Sequence, residues 1–553
     1  MFSRNKKGSV LFILLIFSMV LALAPGRMGL AQDGGDKNEE AERQAFFQRV
    51  DADIQASLND PDDPALSATA CVGGFAGPYP CENVDLLAFM PLGSIGGGSG
   101  NDIWGWTDSL DGKEYALMGR SSGTSFVDIS DPENPVYLGN LPTHTGNSSW
   151  RDIKVYADHA FIVSEATGHG MQVFDLTRLR NVVSPPVTFT EDGHYPGFGN
   201  AHNLVINEET GFAYGVGTST CAGGLHFVNI QNPTSPTNAG CYSSDGYTHD
   251  AQCVIYTGPD SDWQGDEICF ASNEDTVTIV NVTIKNTPIL IKKQGYPGSG
   301  YTHQSWVTED QTYLLLDDEA DESIFGHNTR TRVWDISDLD NPVVIDFFDS
   351  AFDSIDHNQY VKDGYVYQSN YTSGLQILDL TDVAAGSLSR AAFFDTYTPN
   401  TTTTFNGSWS NYPYFESGVV IVSDINSGLF ILQPTLTPTP PATFNKTSPA
   451  DGAVDVSPDP ALSWASSSGA TDYEYCSDTT DDDSCSSWVA NGAATSANLS
   501  GLLDGTTYYW QVRAINLSGT TYANGGATAF WSFTTEAVEP DILIYLPIVI
   551  KDQ

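Results

Sequence analysis

A short apolar run ending in Asp or Asn, followed by a Pro-containing turn, recurs along this chain, and no other feature restricts its fold as tightly. The copies are Thr124-Ser-Phe-Val-Asp128, Met171-Gln-Val-Phe-Asp175, Leu225-His-Phe-Val-Asn229, Val277-Thr-Ile-Val-Asn281, Thr331-Arg-Val-Trp-Asp335, Leu375-Gln-Ile-Leu-Asp379 and a truncated Gly428-Leu-Phe-Ile-Leu432. They lie roughly 45 to 55 residues apart, the length of a four-stranded propeller blade. Alternating apolar residues mark half-buried strands, and the Asp-Pro and Asn-Pro dipeptides mark turns. These features predict an all-β chain whose main body, 71–433, is a seven-bladed β-propeller. The seventh unit stops at Pro434 without an outermost strand, whereas 84–92 reads as an orphan outer strand. Pairing the two would close the structure and hide both edges.

The flanks divide by composition. Residues 1–31 read as a signal peptide: Arg4, Lys6 and Lys7 precede an apolar run over 10–23, and a Gly29-Leu30-Ala31 cleavage site follows. Residues 32–70 form a flexible acidic spacer with one short helix within 39–58. A Pro/Thr-rich linker covers 434–442. Strand-like alternation around Trp464, Tyr473 and Trp510 predicts an immunoglobulin-like β-sandwich over 443–537. The apolar tail, 538–553, is either a last strand or an anchoring segment, and it is too short to span a bilayer as a helix.

Cysteine usage agrees with export. The eight cysteines fall into local pairs, Cys71 with Cys81, Cys221 with Cys241, Cys253 with Cys269 and Cys476 with Cys485, and no Cys-x-x-Cys occurs. The formal charge is −46, and removing 1–31 takes away four cations and no anion, leaving −50. Such a surface repels nucleic acid and anionic lipid and suits a salty extracellular medium.

Seven segments carry a resemblance to a known family: Asn101-Asp-Ile-Trp-Gly-Trp-Thr107, Ser149-Trp-Arg-Asp-Ile-Lys-Val-Tyr156, His169-Gly-Met-Gln-Val-Phe-Asp-Leu176, Asn200-Ala-His-Asn-Leu-Val-Ile206, Tyr247-Thr-His-Asp-Ala-Gln-Cys253, Tyr301-Thr-His-Gln304 and Ile355-Asp-His-Asn358. Through them the region from Cys71 to Leu432 resembles the exported bacterial choice-of-anchor B proteins, built on LVIVD repeats. Gly505-Thr-Thr-Tyr-Tyr-Trp-Gln-Val-Arg513 and Trp531-Ser-Phe-Thr-Thr535 make the downstream module similar to fibronectin type III. The resemblance implies surface display, with a common core joined to varied C-terminal anchoring devices, and implies no settled catalytic activity.

Four units open their first strand with a paired motif: His202-Asn203, His249-Asp250, His303-Gln304 and His357-Asn358. The others open with aromatics, among them Trp104, Trp106, Trp150 and Trp409. First strands of blades line a propeller's central channel, so residues fifty positions apart should converge. Carboxylates at second-strand ends, Glu165, Glu274 and the Asp317-Asp318-Glu319 run, would join them. Glu165, Glu274 and Asp317 are the expected supports behind the imidazoles. Three readings stay open: hydrogen-bond pins between blades, a divalent transition-metal site with His202, His249, His303 and His357 as ligands, or a metal-free pocket. The acidic run 317–322 is a separate calcium candidate without EF-hand spacing. No Gly-x-Ser-x-Gly elbow stands in a strand-turn-helix setting, and the Gly-rich 96–100 lacks the Lys-Ser/Thr of a phosphate loop. The function expected first is binding and display of a protein, glycan or small-molecule ligand at the cell surface. The alternative is an exported metalloenzyme, an oxidase or hydrolase.

Overall fold

The computed structural model describes residues 43–45, 48–54, 64–436, 440–467, 469–485, 487–516 and 519–537. The expected signal peptide and C-terminal tail lie outside the described residues. Residues 43–45 and 48–54 are helical, within the span where the acidic spacer was expected to hold a helix. Among the described residues, no helix is long and apolar enough to cross a membrane.

The chain is all-β. Seven antiparallel meander sheets follow one another, with innermost strands Gly100–Thr107, Arg151–Tyr156, Asn203–Asn207, Asp250–Ile255, Thr302–Val307, Gln359–Lys362 and Ser408–Tyr412. Each innermost strand lies beside the next, and Ser408–Tyr412 lies beside Gly100–Thr107 again. Apolar cores fill the spaces between consecutive sheets. Val216 and Phe227 of the third, for example, share one cluster with Cys269 and Val280 of the fourth.

The repeated Asp or Asn has a specific chemical task. Its side-chain Oδ1 accepts the amide two residues on, closing the turn after the third strand: Ser130 on Asp128, Thr177 on Asp175, Gln231 on Asn229, Thr283 on Asn281, Ser337 on Asp335 and Thr381 on Asp379. A second device repeats with it. In six sheets the pairing of the third strand with the outer one slips at a bulge, as between Phe126 and Val127 and between Ile279 and Val280.

The seventh sheet takes its outer strand from the other end of the chain. Val84–Pro91 pairs antiparallel with Gly428–Pro434, placing Phe89 opposite Phe430, and slips between Ile431 and Leu432 as the other outer strands do. Leu66–Thr69 adds a fifth strand outside it. Tyr79–Glu82 covers the outer edge of the sixth sheet, on Ser389–Phe394.

Two smaller sheets hold residues 446–535: one of Lys446–Ser448, Ala461–Trp464 and Ser496–Asn498, the other around Asp472–Asp478, Thr507–Asn516 and Trp531–Thr535. Trp464, Tyr473, Trp510 and Phe533 form their shared core.

Disulfides join the four local cysteine pairs, and no cysteine is free. Four such bonds belong to an oxidising compartment outside the cytoplasm. Cys253 and Cys269 sit directly opposite one another on neighbouring strands of the fourth sheet. Closing that loop of 16 residues constrains the unfolded chain. The Cys253→Ala/Cys269→Ala variant is therefore expected to lose about 3 kcal/mol, read as a lowered denaturant midpoint with unchanged slope.

Candidate metal centre

The four sequence-predicted histidines stand at the entrances of the third to sixth sheets and pack side by side. Ring centroids lie 4.2 Å apart for His202 and His249, 4.2 Å for His249 and His303, and 4.4 Å for His303 and His357. All four are buried. The row continues on either side of His357 with Tyr371 at 4.6 Å and Trp409 at 4.9 Å.

Each imidazole is oriented through Nδ1. His249 Nδ1 reaches the carbonyl of His303 at 3.1 Å, and His357 Nδ1 reaches the carbonyl of Trp409 at 2.5 Å. A carbonyl only accepts, so both nitrogens carry the proton. His303 Nδ1 meets Asp317 Oδ1 at 3.0 Å, an oxygen that also accepts the Gln304 amide at 2.9 Å. His202 Nδ1 meets Glu165 Oε1 at 2.6 Å.

Burial, together with the neighbouring imidazoles, holds His249 and His303 well below the usual histidine range. Burial takes His357 down to about 3. Neutral rings protonated at Nδ1 present an Nε2 lone pair, the form that ligates metal. Asp317 is pushed well above the carboxylate range, first by burial.

Glu319 is the carboxylate that meets this row. Its Oε2 lies 3.9 Å from His303 Nε2, and its Oε1 lies 3.7 Å from His357 Nε2. One ligand atom each from His249, His303 and Glu319 lie within 4.8 Å of one another. Donors about 2 to 2.4 Å from a common cation lie no more than about 4.8 Å apart, so these atoms are close enough to share one. The structure thus aligns all four expected histidines, but gathers His249, His303 and Glu319 most tightly, with His357 facing Glu319 from one side and His202 tilted against His249. Sequence reasoning named Glu319 within its run but selected Asp317. Strand alternation does not reach it, since the second strand ends at Asp318 and Glu319 lies in the turn that follows.

The expected supports divide. Glu165 and Asp317 each bond one imidazole. Glu274 sits at a left-handed turn position (φ 59°), where its backbone carbonyl accepts the Thr302 amide at 2.6 Å. Within the calcium candidate, Asp318 and Asp321 have partners of their own. Asp318 accepts from the Tyr296 hydroxyl and from the amides of Gly300, Tyr301 and Ala320, while Asp321 pairs with Arg332 at 2.6 Å.

Pins between sheets are present as well, one residue along from the histidines. Asn203 Nδ2 donates to the His249 carbonyl at 3.2 Å, Gln304 Oε1 accepts the Gln359 amide at 2.6 Å, and Asn358 Nδ2 donates to the Trp409 carbonyl at 3.2 Å. Of the aromatic openings, Trp104 packs on Tyr360, Tyr412 and Tyr414, whereas Trp409 belongs to the histidine row.

No family model and no curated protein matches the chain. Among solved structures it is similar to the extracellular domain of a one component system from B. thetaiotaomicron, at 13% identity and TM-score 0.38, over 81% of this chain and 59% of that one. It is similar to PorZ, a surface component of the type-IX secretion system of Porphyromonas gingivalis, at 10% identity and TM-score 0.42, over 82% and 64%. It is also similar to a protein from Lactobacillus plantarum, at 13% identity and TM-score 0.41, over 59% and 89%. The chain thus spans about three fifths of the length of the first two. Likeness at this level assigns no function.

Proposed function

We propose that this is an extracytoplasmic β-propeller protein that holds a divalent transition-metal ion between its histidine row and Glu319. The seven sheets, with inner strands adjacent from first to seventh and back to first, support a seven-bladed propeller over 71–433. A fibronectin type III-like domain over 443–537 follows it, in the manner of choice-of-anchor B proteins. Export through residues 1–31 and surface attachment through 538–553 belong to the same reading.

One observation carries the metal assignment: ligand atoms of His249, His303 and Glu319 within 4.8 Å of one another in a buried site. Imidazole nitrogens mixed with a carboxylate suit zinc, iron, manganese or copper rather than calcium, which takes all-oxygen sites. The bonds from Glu165 to His202 and from Asp317 to His303 are the carboxylate–histidine supports that orient metal ligands. A bound zinc would favour activation of water and hydrolytic chemistry, whereas iron or copper would favour oxidative chemistry.

The test is metal content by mass spectrometry on protein purified without added metal or a histidine tag, beside a His249→Ala/His303→Ala variant. About one ion per chain in the parent and almost none in the variant is the expected result. Metal absent from both proteins would leave the histidines as ties between sheets and make ligand display the function.

A further inference from the structure

Tyr371 stands at the edge of the histidine row in a conformation that side chains avoid. It follows the second strand of the sixth sheet, Tyr365–Ser369, and its φ is 37°, in the left-handed region. For a bulky residue this is an outlier, and glycine would occupy the position without strain. The surrounding backbone pins it there, for the Tyr371 carbonyl accepts the amides of Gly374 at 3.1 Å and Ser408 at 3.0 Å. Strain retained in a rigid site calls for a reason in the side chain.

That side chain is fully buried and ends on Glu319. The Tyr371 hydroxyl donates to Glu319 Oε1 at 2.6 Å, while the ring packs against His357 at 4.6 Å and edge-on against Phe405 at 5.3 Å. The two carboxylate oxygens therefore differ. Oε1 is engaged by the phenol and turned toward His357, and Oε2 is turned toward His303.

Resting on the metal reading above, we infer that Tyr371 is a positioning residue that fixes the Glu319 carboxylate so that it ligates through Oε2 alone. A phenol donating to one oxygen lowers that oxygen's electron density and locks the carboxylate plane. The cation shared with His249 and His303 then meets a one-oxygen ligand, and a coordination position stays available for a water or an exogenous ligand. Without the phenol, the carboxylate is free to rotate and to chelate through both oxygens.

Cobalt(II) tests this, because its visible absorption reports coordination number and geometry. The full-length protein is freed of metal with a chelator, titrated with cobalt(II), and compared with Tyr371→Phe. The expected result is a different cobalt spectrum in the variant, with affinity changed by about tenfold or more, while the metal-free proteins unfold at similar temperatures. An unchanged spectrum and affinity in a folded Tyr371→Phe protein would overturn the inference and leave the metal centre standing. A parent protein that takes up no cobalt would instead overturn the metal reading itself. If Tyr371→Phe fails to fold, zinc titration of the parent decides. Zinc binding at Glu319 perturbs a bonded phenol and gives a near-ultraviolet tyrosine difference spectrum saturating at one equivalent. That signal should survive Tyr301→Phe, and its absence from the zinc-bound parent would overturn the inference.

Discussion

A chain beginning at residue 93 is expected to lose cooperative folding, because the strand it lacks completes the last sheet. Val84–Pro91 pairs along the whole of Gly428–Pro434. Without it that strand becomes an open edge, and the core shared by Phe89, Val420, Phe430 and Leu432 is uncovered. The same deletion removes Tyr79–Glu82 from the edge of the sixth sheet. A point variant isolates the closing contact. Phe89 is buried, with its ring 4.6 Å from Phe430 and 6.1 Å from Tyr79. Phe89→Ala should cost about 3–5 kcal/mol, as truncation of a buried aromatic does. Phe430→Ala should cost as much, and the double variant less than the sum, since the two rings share one cavity. Denaturant unfolding followed by circular dichroism measures each. A 93–553 chain that unfolds with the parent's midpoint and slope would show that the sheets stand without this closure.

Why this pairing was legible in the sequence lies in the repeat. A seventh unit ending at Pro434 lacks an outer strand, and 84–92 has the composition of one, so two deficits in one chain point to each other. The bulge between Ile431 and Leu432 was not legible, since a one-residue slip leaves no compositional trace. The turn signal was read from the Asp-Pro and Asn-Pro dipeptides, while the Asp and Asn residues at strand ends were legible as part of the repeat. Their common chemistry, Oδ1 accepting the amide two residues on, became visible only with the turn geometry.

The histidines were legible for the same reason, since equivalent positions of a repeat occupy equivalent places. Sequence reasoning set pins against ligands as rival roles, and the geometry divides them within each motif. Nδ1 of His249 and His357 ties neighbouring sheets, as do Asn203, Gln304 and Asn358, while the Nε2 edges of His303 and His357 face Glu319. Glu274 holds a left-handed φ at a turn, a conformation that its place at a strand end does not announce. Tyr371 carried no signal at all. It lies in no periodic strand position, and nothing in an isolated tyrosine between Asn370 and Thr372 announces a positive φ.

Lys154→Met should be among the most destabilising single substitutions in the molecule, and its cost should grow with pH. Lys154 Nζ lies 2.5 Å from Asp152 Oδ1 and 3.6 Å from Asp102 Oδ2, above the Trp104 ring at 4.6 Å. Both aspartates are buried, and each accepts the amide of a neighbouring sheet, Asp102 from Ile153 and Asp152 from Leu204. Burial lifts Asp102 well above the carboxylate range. Asp152 is held low despite its burial, with the Lys154 charge the largest influence in that direction. The Lys154 charge thus favours the anion at Asp152, and burial favours the proton on Asp102. Methionine fills the space of the lysine stem but leaves Asp152 without a counterion. Removing one partner of a buried pair costs about 3–5 kcal/mol. The sign of the pH dependence follows. In the variant the folded-state pKa of Asp152 rises above its unfolded value, so stability is intact below about pH 4 and is lost as pH climbs through the raised value. The penalty should therefore be largest at pH 8 and shrink toward pH 5, by at most about 1.4 kcal/mol per unit for one proton. Asp152→Asn in the methionine background removes the anion and keeps an acceptor for the Leu204 amide, so it should recover much of the loss and flatten the pH dependence. Thermal midpoints of the parent and both variants at pH 5 and pH 8 measure this. A penalty that is the same at both pH values would mean that Lys154 acts through its contact with Trp104, and not through its charge.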